Sequence, residues 1–170
     1  MMRFFLIGFM GSGKTHWARR WSSAYGLKCY DLDEEIEKRE QKSISELFKT
    51  LGEDGFRKKE QAALQTYMHL NDFIMSCGGG TPCFFDNMQR MNRAGITIYL
   101  QASAAELAAR LKFEKEARPL IRNVADEVLE SFIETKLQER HACYAQAMYH
   151  FQTRFLQNEN FERIYTRYAK

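Results

Sequence analysis

The residues best suited to chemistry stand near the amino terminus, where Gly8-Phe9-Met10-Gly11-Ser12-Gly13-Lys14-Thr15 follows directly on the apolar run Phe4-Phe5-Leu6-Ile7. A strand that leads into G-x-x-x-x-G-K-T is the pattern of a phosphate-binding P-loop. Backbone N–H groups must wrap a polyphosphate closely, so glycines stand where a Cβ would clash or φ must be positive. Gly11, Ser12 and Gly13 would form the cradle, Lys14 would bring a cation to the β and γ phosphates, and Thr15 a hydroxyl to Mg²⁺. The helix that begins there turns its positive end toward the anion.

A second candidate is Tyr30-Asp31-Leu32-Asp33, at the end of a short apolar segment. Alternation along an extended chain puts both carboxylates on one side. Phosphoryl transfer has two tasks for such acids: holding Mg²⁺, and fixing the hydroxyl that attacks the γ-phosphate. Asp33 suits the second task. The same residues also read as a helix cap followed by first-turn acids, and it is the P-loop upstream that favours the catalytic reading.

Three further segments carry charge or glycine in suggestive places. In Gly52-Glu53-Asp54-Gly55-Phe56-Arg57 an arginine opens a helical pattern, where the helix dipole disfavours it and a dedicated anionic partner would explain it. Cys77-Gly78-Gly79-Gly80-Thr81-Pro82 puts three glycines straight after a strand, which allows close backbone approach by a ligand. Lys112 to Arg122 is a charged stretch between helical patterns, interrupted by Pro119, and reads as a lid that brings Arg118 to the phosphates. A flexible turn and a solvated connector are the plain alternatives for the last two.

The elements that must position these groups alternate between strand and helix. Apolar runs predict strands at Phe4 to Phe9, Cys29-Tyr30, Asp72 to Cys77, Gly95 to Leu100 and Tyr149 to Gln152. Helical spacing covers the stretch after the P-loop to Ala24, then Glu34 to Glu40, Ile44 to Lys49, Glu53 to His69, Asp86 to Arg93, Ala104 to Leu111, Asp126 to Ala147 and Asn160 to Tyr168. Strands separated by helices need crossover connections, so an α/β fold follows, with a parallel sheet covered on both faces and ligands above the strands' carboxyl ends. The chain has 170 residues, 45% hydrophobic and 28% charged, which suits one globular domain. A net charge of +3 with basic and acidic residues interspersed gives no reason to expect nucleic acid. The apolar amino-terminal stretch is too short for a signal peptide or membrane span, so a cytosolic protein without a membrane partner is expected. Cys29, Cys77, Cys83 and Cys143 show no C-x-x-C spacing, and all four are expected to be small apolar or semi-buried residues in a reducing compartment.

In order and spacing, several of these segments resemble the shikimate kinase family: Gly8 to Thr15, Tyr30 to Asp33, Ser43-Ile44-Ser45-Glu46-Leu47-Phe48, Gly52-Glu53 with Phe56-Arg57 and Glu60, Gly78 to Gly80, and Arg118-Pro119-Leu120. The resemblance runs from about Arg3 to Tyr144. It implies the P-loop NTPase fold of the nucleoside monophosphate kinase type, a five-stranded parallel sheet in the order 2-3-1-4-5 with a lid at about 112–123 and an acceptor-binding region at about 31–69. It implies transfer of the ATP γ-phosphate to the 3-hydroxyl of shikimate by a monomeric enzyme. Carried onto this chain, it puts Lys14 and Thr15 at the phosphates and Mg²⁺ and Asp31 near the metal. Asp33 falls at the acceptor hydroxyl as candidate base, Arg57 and Arg140 at the shikimate carboxylate, and Gly78, Gly79 and Gly80 against the substrate. Arg118 becomes the lid arginine and Arg110 the residue that stacks on adenine.

The chain departs from the family pattern at His16, Gln41 and Ala142, where a small hydroxyl residue, a glycine and a proline are usual. None of the three removes a group with a chemical role. Arg154 and Asn158 are the base-contacting candidates in a stretch with no adenine-loop motif. Two alternatives stay open: another small-molecule kinase of the same fold, such as a gluconate kinase, and a non-catalytic nucleotide-binding module. The acceptor residues argue against the first and the intact Lys14, Thr15, Asp31, Asp33 and Arg118 against the second.

Overall fold

The computed structural model describes residues 2–115, 118 and 120–169. Glu116, Ala117 and Pro119, which belong to the expected lid, lie outside them. Five parallel strands form one sheet in the order β2-β3-β1-β4-β5, with β1 at Arg3–Ile7, β2 at Lys28–Asp31, β3 at Phe73–Ser76, β4 at Ile96–Gln101 and β5 at Tyr149–Gln152. This is the architecture expected from the sequence.

The central place of β1 follows from its composition. Phe4, Phe5, Leu6 and Ile7 are all fully buried, as a parallel strand covered on both faces requires. Phe4 and Leu6 pack against Trp21 of α1 (Lys14–Tyr25) and Phe161 of α7 (Asn158–Tyr168). Phe5 and Ile7 point the other way, toward Ile36 of α2 (Leu32–Glu40), Leu64 of α3 (Ile44–Tyr67) and Met91 of α4 (Asn87–Ala94). A third cluster seats Phe9 against Leu107 and Leu111 of α5 (Ala104–Leu111) and Leu129 and Ile133 of α6 (Asp126–Tyr144). Because all strands run parallel, the turns after β1, β2 and β3 open on one edge of the sheet. The P-loop, Asp31 and the glycine triplet therefore meet there.

Two helical patterns that the sequence separates, Ile44 to Lys49 and Glu53 to His69, form α3, which breaks at Gly52 (φ 67°, ψ −179°). Its start is fixed by Ser43, whose side chain accepts from the Glu46 amide while the Glu46 carboxylate accepts from the Ser43 amide. Helix α6 ends at Tyr144, three residues earlier than its apolar pattern suggests, and Ala145 to Ala147 continue as hydrogen-bonded turns.

One expectation is corrected. Cys83 and Cys143 are joined as a disulfide, with Cα atoms 5.5 Å apart across 60 residues of sequence. Cys29 and Cys77 are free thiols; Cys77 is buried, whereas Cys29 is exposed on the edge strand β2, against the expectation of a semi-buried residue. Motif spacing reports local pairs, whereas a disulfide depends on Cα proximity in space, which only the fold supplies.

The packing of α1 and α7 on β1 includes a cluster of aromatic rings, with Phe4, Trp21 and Tyr25 all against Phe161. The Trp21 and Phe161 rings stack with centroids 4.6 Å apart, and both side chains are wholly buried. Trp21→Ala should cost roughly 3–5 kcal/mol and lower the melting temperature by about 10 °C or more. Thermal denaturation followed by circular dichroism checks this, and a shift under about 3 °C would contradict it.

Candidate active site

The P-loop leads from β1 into α1 with Gly11 at φ 77° and Gly13 at φ 86°. Both values lie in the left-handed region that a side chain resists, so these glycines let the loop fold back upon itself. Lys14 is 8% exposed, and its Nζ donates to the Phe9 carbonyl at 2.9 Å. Burial lowers its pKa to about 8, although the nearby Asp33 and Asp31 carboxylates act in the opposite sense. Thr15 Oγ1 donates to Asp31 Oδ2 at 2.7 Å and lies 3.1 Å from the Ser76 hydroxyl. Ser12 is buried beneath the loop, and its hydroxyl has no protein partner among the described residues.

Asp31 caps α2, accepting from the Asp33 amide at 3.1 Å. The cap and the functional reading of this pair are thus both present. Asp33 is half-buried and faces the glycine turn, where a Cβ built on Gly78 would stand 3.2 Å from its Oδ1. Burial raises its pKa to about 6, with the neighbouring Asp31 and Glu60 charges adding to the effect and Lys14 opposing it. An acid and an amine with pKa values moved toward neutrality in one cavity are a pattern found where protons or anions are handled.

Arg57, 8% exposed, projects from α3 into the same cavity. Its guanidinium contacts Glu53 at 3.0 Å and Glu60 at 3.2 Å. The rings of Phe84, Phe56 and Phe48 surround it at 4.1, 5.2 and 5.7 Å from their centroids. Its Nε has no protein partner among the described residues, so the guanidinium retains donor capacity inside an apolar collar. Part of the anionic partner that the sequence asks for is internal, since Glu53 and Glu60 already balance the charge. Glu60 itself is 1% exposed; burial pushes its pKa up, while Arg57 and the Thr81 hydroxyl, which donates at 2.7 Å, favour its charged form.

The glycine triplet closes the opposite wall. A Cβ on Gly80 would lie 2.6 Å from Arg57 Nη2, so any larger residue would expel the guanidinium. The Gly79 carbonyl accepts from Arg140 Nη1 at 3.2 Å and from the Tyr144 hydroxyl at 2.5 Å. Arg140 also lies over the Phe9 ring, 5.2 Å from its centroid. At the mouth, Arg118 is held by Glu114, Nη2 to Oε2 at 2.7 Å.

These groups line one cavity of about 770 Å³, within the range of small-ligand sites. It brings together Gly11, Gly13, Lys14, Thr15, Asp31, Asp33, Arg57, Gly78, Gly79, Gly80, Arg118 and Arg140. Arg110 is not among the lining residues and donates to the Gly11 carbonyl at 3.0 Å. Of the two base-contacting candidates, Asn158 accepts from Arg20 at 2.8 Å, and Arg154 lies over the Phe155 ring. Phe84, Ser76 and Tyr144 join the site without any expectation from the sequence, and Glu60 joins it with a role that its motif alone does not show. Glu60 was detectable as an acid three residues beyond Arg57 on one helix face. Phe84 and Ser76 had no local signal, because their contacts cross from one strand-end turn to another.

The oxygen donors also fit a hard cation. Thr15 and Asp31 present a hydroxyl and a carboxylate side by side beneath the loop, and Mg²⁺ is ordinarily held by one or two such groups together with substrate phosphates.

The model of the shikimate kinase family matches residues 10–169. A shikimate kinase of Phocaeicola vulgatus is 43% identical over 159 residues, covering 94% of this chain and 91% of the relative. One from Parabacteroides distasonis is 42% identical, covering 86% and 85%. Among solved structures, shikimate kinase from Bacteroides thetaiotaomicron superposes with a TM-score of 0.90 at 36% identity, covering 99% of each chain. Shikimate kinase from Acinetobacter baumannii in complex with shikimate gives 0.89 at 27% identity, covering 100% of this chain and 96% of that one. With its sheet order, its phosphate loop and these relatives all in agreement, the chain belongs to the shikimate kinase family.

Proposed function

We propose that the protein transfers the γ-phosphate of ATP to the 3-hydroxyl of shikimate, yielding shikimate 3-phosphate and ADP. The observation that carries this reading is the single cavity in which a phosphate loop faces Asp33, Arg57 and Arg140. The shikimate in the Acinetobacter baumannii complex supports the choice of acceptor. The whole chain, 1–170, acts in this reading as one kinase domain, with the acceptor bound mainly by 31–69 and a lid at 112–123. It acts as a monomer in the cytosol, where ATP is supplied, and engages neither nucleic acid nor membrane.

The chemistry needs two anions to meet. Gly11, Ser12 and Gly13 present amides to the nucleotide phosphates and Lys14 neutralises them, while Arg110 contacts the base side of the nucleotide. Mg²⁺, held by Thr15 and Asp31, would supply further neutralisation of the β and γ phosphates when bound. Arg57 and Arg140 grip the acceptor by its carboxylate, away from the transferred charge, against the backbone of Gly78 to Gly80. Asp33 accepts a hydrogen bond from the attacking hydroxyl and takes its proton as phosphorus–oxygen bond formation proceeds. Arg118 leaves Glu114 for the transferred group as the lid closes, and stabilises its spreading charge. Catalysis is then mainly positioning and preorganised electrostatics.

An ADP-release assay over shikimate, gluconate and quinate tests the assignment: shikimate should exceed the others by at least about 100-fold in kcat/KM, as a site built around a specific polar acceptor discriminates. Comparable rates with gluconate would favour the other small-molecule kinase. Asp33→Asn should lower kcat by about 10²–10⁴-fold, with ATP affinity within about twofold; near-normal turnover would remove Asp33 as base. Arg57→Ala should raise the KM for shikimate by about 10- to 100-fold, the worth of a charge-assisted hydrogen bond, and leave the KM for ATP nearly unchanged.

The pH dependence follows from the shifted groups. Asp33 must be deprotonated to act and has a pKa of about 6, so kcat/KM should rise through that pH. Lys14 must be charged and has a pKa of about 8, so kcat/KM for ATP should fall above it. A bell with limbs near these values is expected for the interacting pair. A profile flat from pH 5 to 9 would contradict both assignments.

A further inference from the structure

The disulfide joins two pieces of the acceptor wall. Cys83 ends the short 3₁₀ turn Thr81–Cys83, which grows directly from the glycine triplet: the Thr81 amide donates to Gly78 at 3.1 Å and the Cys83 amide to Gly80 at 2.8 Å. Cys143 sits in the last turn of α6, between Arg140 and Tyr144, the two residues that donate to the Gly79 carbonyl. On its other side the same turn is tied to the Arg57 side of the cavity by Thr81, which donates to Glu60, and by Phe84, whose ring lies on the Arg57 guanidinium. Segment 78–84 thus links Arg57 and Arg140, and Cys83–Cys143 is its covalent attachment to α6. Lys14 and Thr15 are held independently of it, by the Phe9 carbonyl and by Asp31 and Ser76.

We propose that Cys83 and Cys143 form a thiol–disulfide exchange site for low-molecular-weight disulfides and dithiols, and that its redox state sets how firmly the acceptor pocket holds its substrate. The second half rests on the proposed function, in which Arg140 and the glycine turn bind shikimate. One cysteine thiolate attacks a sulfur of a small disulfide and releases one small thiol, leaving a mixed disulfide. The second cysteine then displaces the other half as a second small thiol. Two protein thiols are oxidised, one small disulfide is reduced, and the two protons end on the released thiols. Both cysteines are half-buried, open enough for such a reagent. Disulfides of cytosolic proteins are typically transient or redox-sensing, which fits an exchangeable bond. Reduction removes the covalent tie between the turn and α6 and leaves the hydrogen bonds from Arg140 and Tyr144 to the Gly79 carbonyl, so the turn can move away from α6 and loosen the grip on the acceptor carboxylate.

Two preparations of the full-length protein test this, one equilibrated with oxidised glutathione and one with dithiothreitol. Thiol titration after denaturation should count two thiols in the first, Cys29 and Cys77, and four in the second. Closing a 60-residue loop should raise the melting temperature of the oxidised form by roughly 5–10 °C. Reduction should raise the KM for shikimate about fivefold, a typical coupling between linked sites, while the KM for ATP stays within twofold. Cys83→Ser and Cys143→Ser should each show the reduced form's KM in either buffer. Four thiols after oxidised glutathione, or equal shikimate KM values in the two preparations, overturn the proposal. Failure of the functional reading appears separately, as no shikimate-dependent ADP release in either preparation.

Discussion

Several charges of both signs, some of them buried, line one cavity, and the rest of the structure is arranged around their mutual balance. Buried charge is costly unless paired. Arg57 and Glu60 answer each other within α3, and Thr81 reaches across to complete the carboxylate's hydrogen bonding. Lys14 and Asp33 are less fully compensated. Burial lowers the first to about 8 and raises the second to about 6, so neither is locked in its charged form. A nucleotide and a hydroxy acid carry the groups that would complete this balance, a polyphosphate for the lysine and a hydroxyl proton for the aspartate. In the proposed function, binding energy and reactivity therefore have the same source, which is electrostatic demand that the fold leaves unmet.

The sheet creates that situation by topology. Parallel strands send their carboxyl ends to one edge, so β1, β2 and β3 deliver the phosphate loop, the aspartate pair and the glycine triplet to the same place. Helices then bring the arginines from the flanks, Arg57 on α3 and Arg140 on α6. The glycine triplet is where these contributions touch: Gly80 has no room for a Cβ against Arg57, and the Gly79 carbonyl takes bonds from both Arg140 and Tyr144. Rigid attachment of this turn matters more than its length suggests, because it touches both Arg57 and Arg140.

Much of this arrangement is legible in the amino-acid sequence. Strand β1 declared itself through four consecutive apolar residues, since a strand buried on both faces has no polar alternation to obscure it. The phosphate loop was legible because its backbone conformation demands particular residue types at fixed spacing. Arg57 is flagged in the sequence as a cation near a helix start, but it lies inside α3, beyond the break at Gly52, and its place in the site comes from its burial. What escaped depended on contacts between distant segments. Phe84 reaches Arg57 from another turn, and the Cys83–Cys143 bond spans 60 residues with no motif to mark it. The exposed β2 edge strand was placed with boundaries two residues too short, because only part of it faces the core.

A crystal structure with shikimate and a non-hydrolysable ATP analogue tests the central claim most directly. The account predicts the shikimate carboxylate within hydrogen-bonding distance of both Arg57 and Arg140, its 3-hydroxyl on Asp33, and the nucleotide phosphates on the amides of Gly11 to Lys14. A shikimate molecule whose carboxylate contacts neither arginine, or whose 3-hydroxyl points away from Asp33, would contradict it.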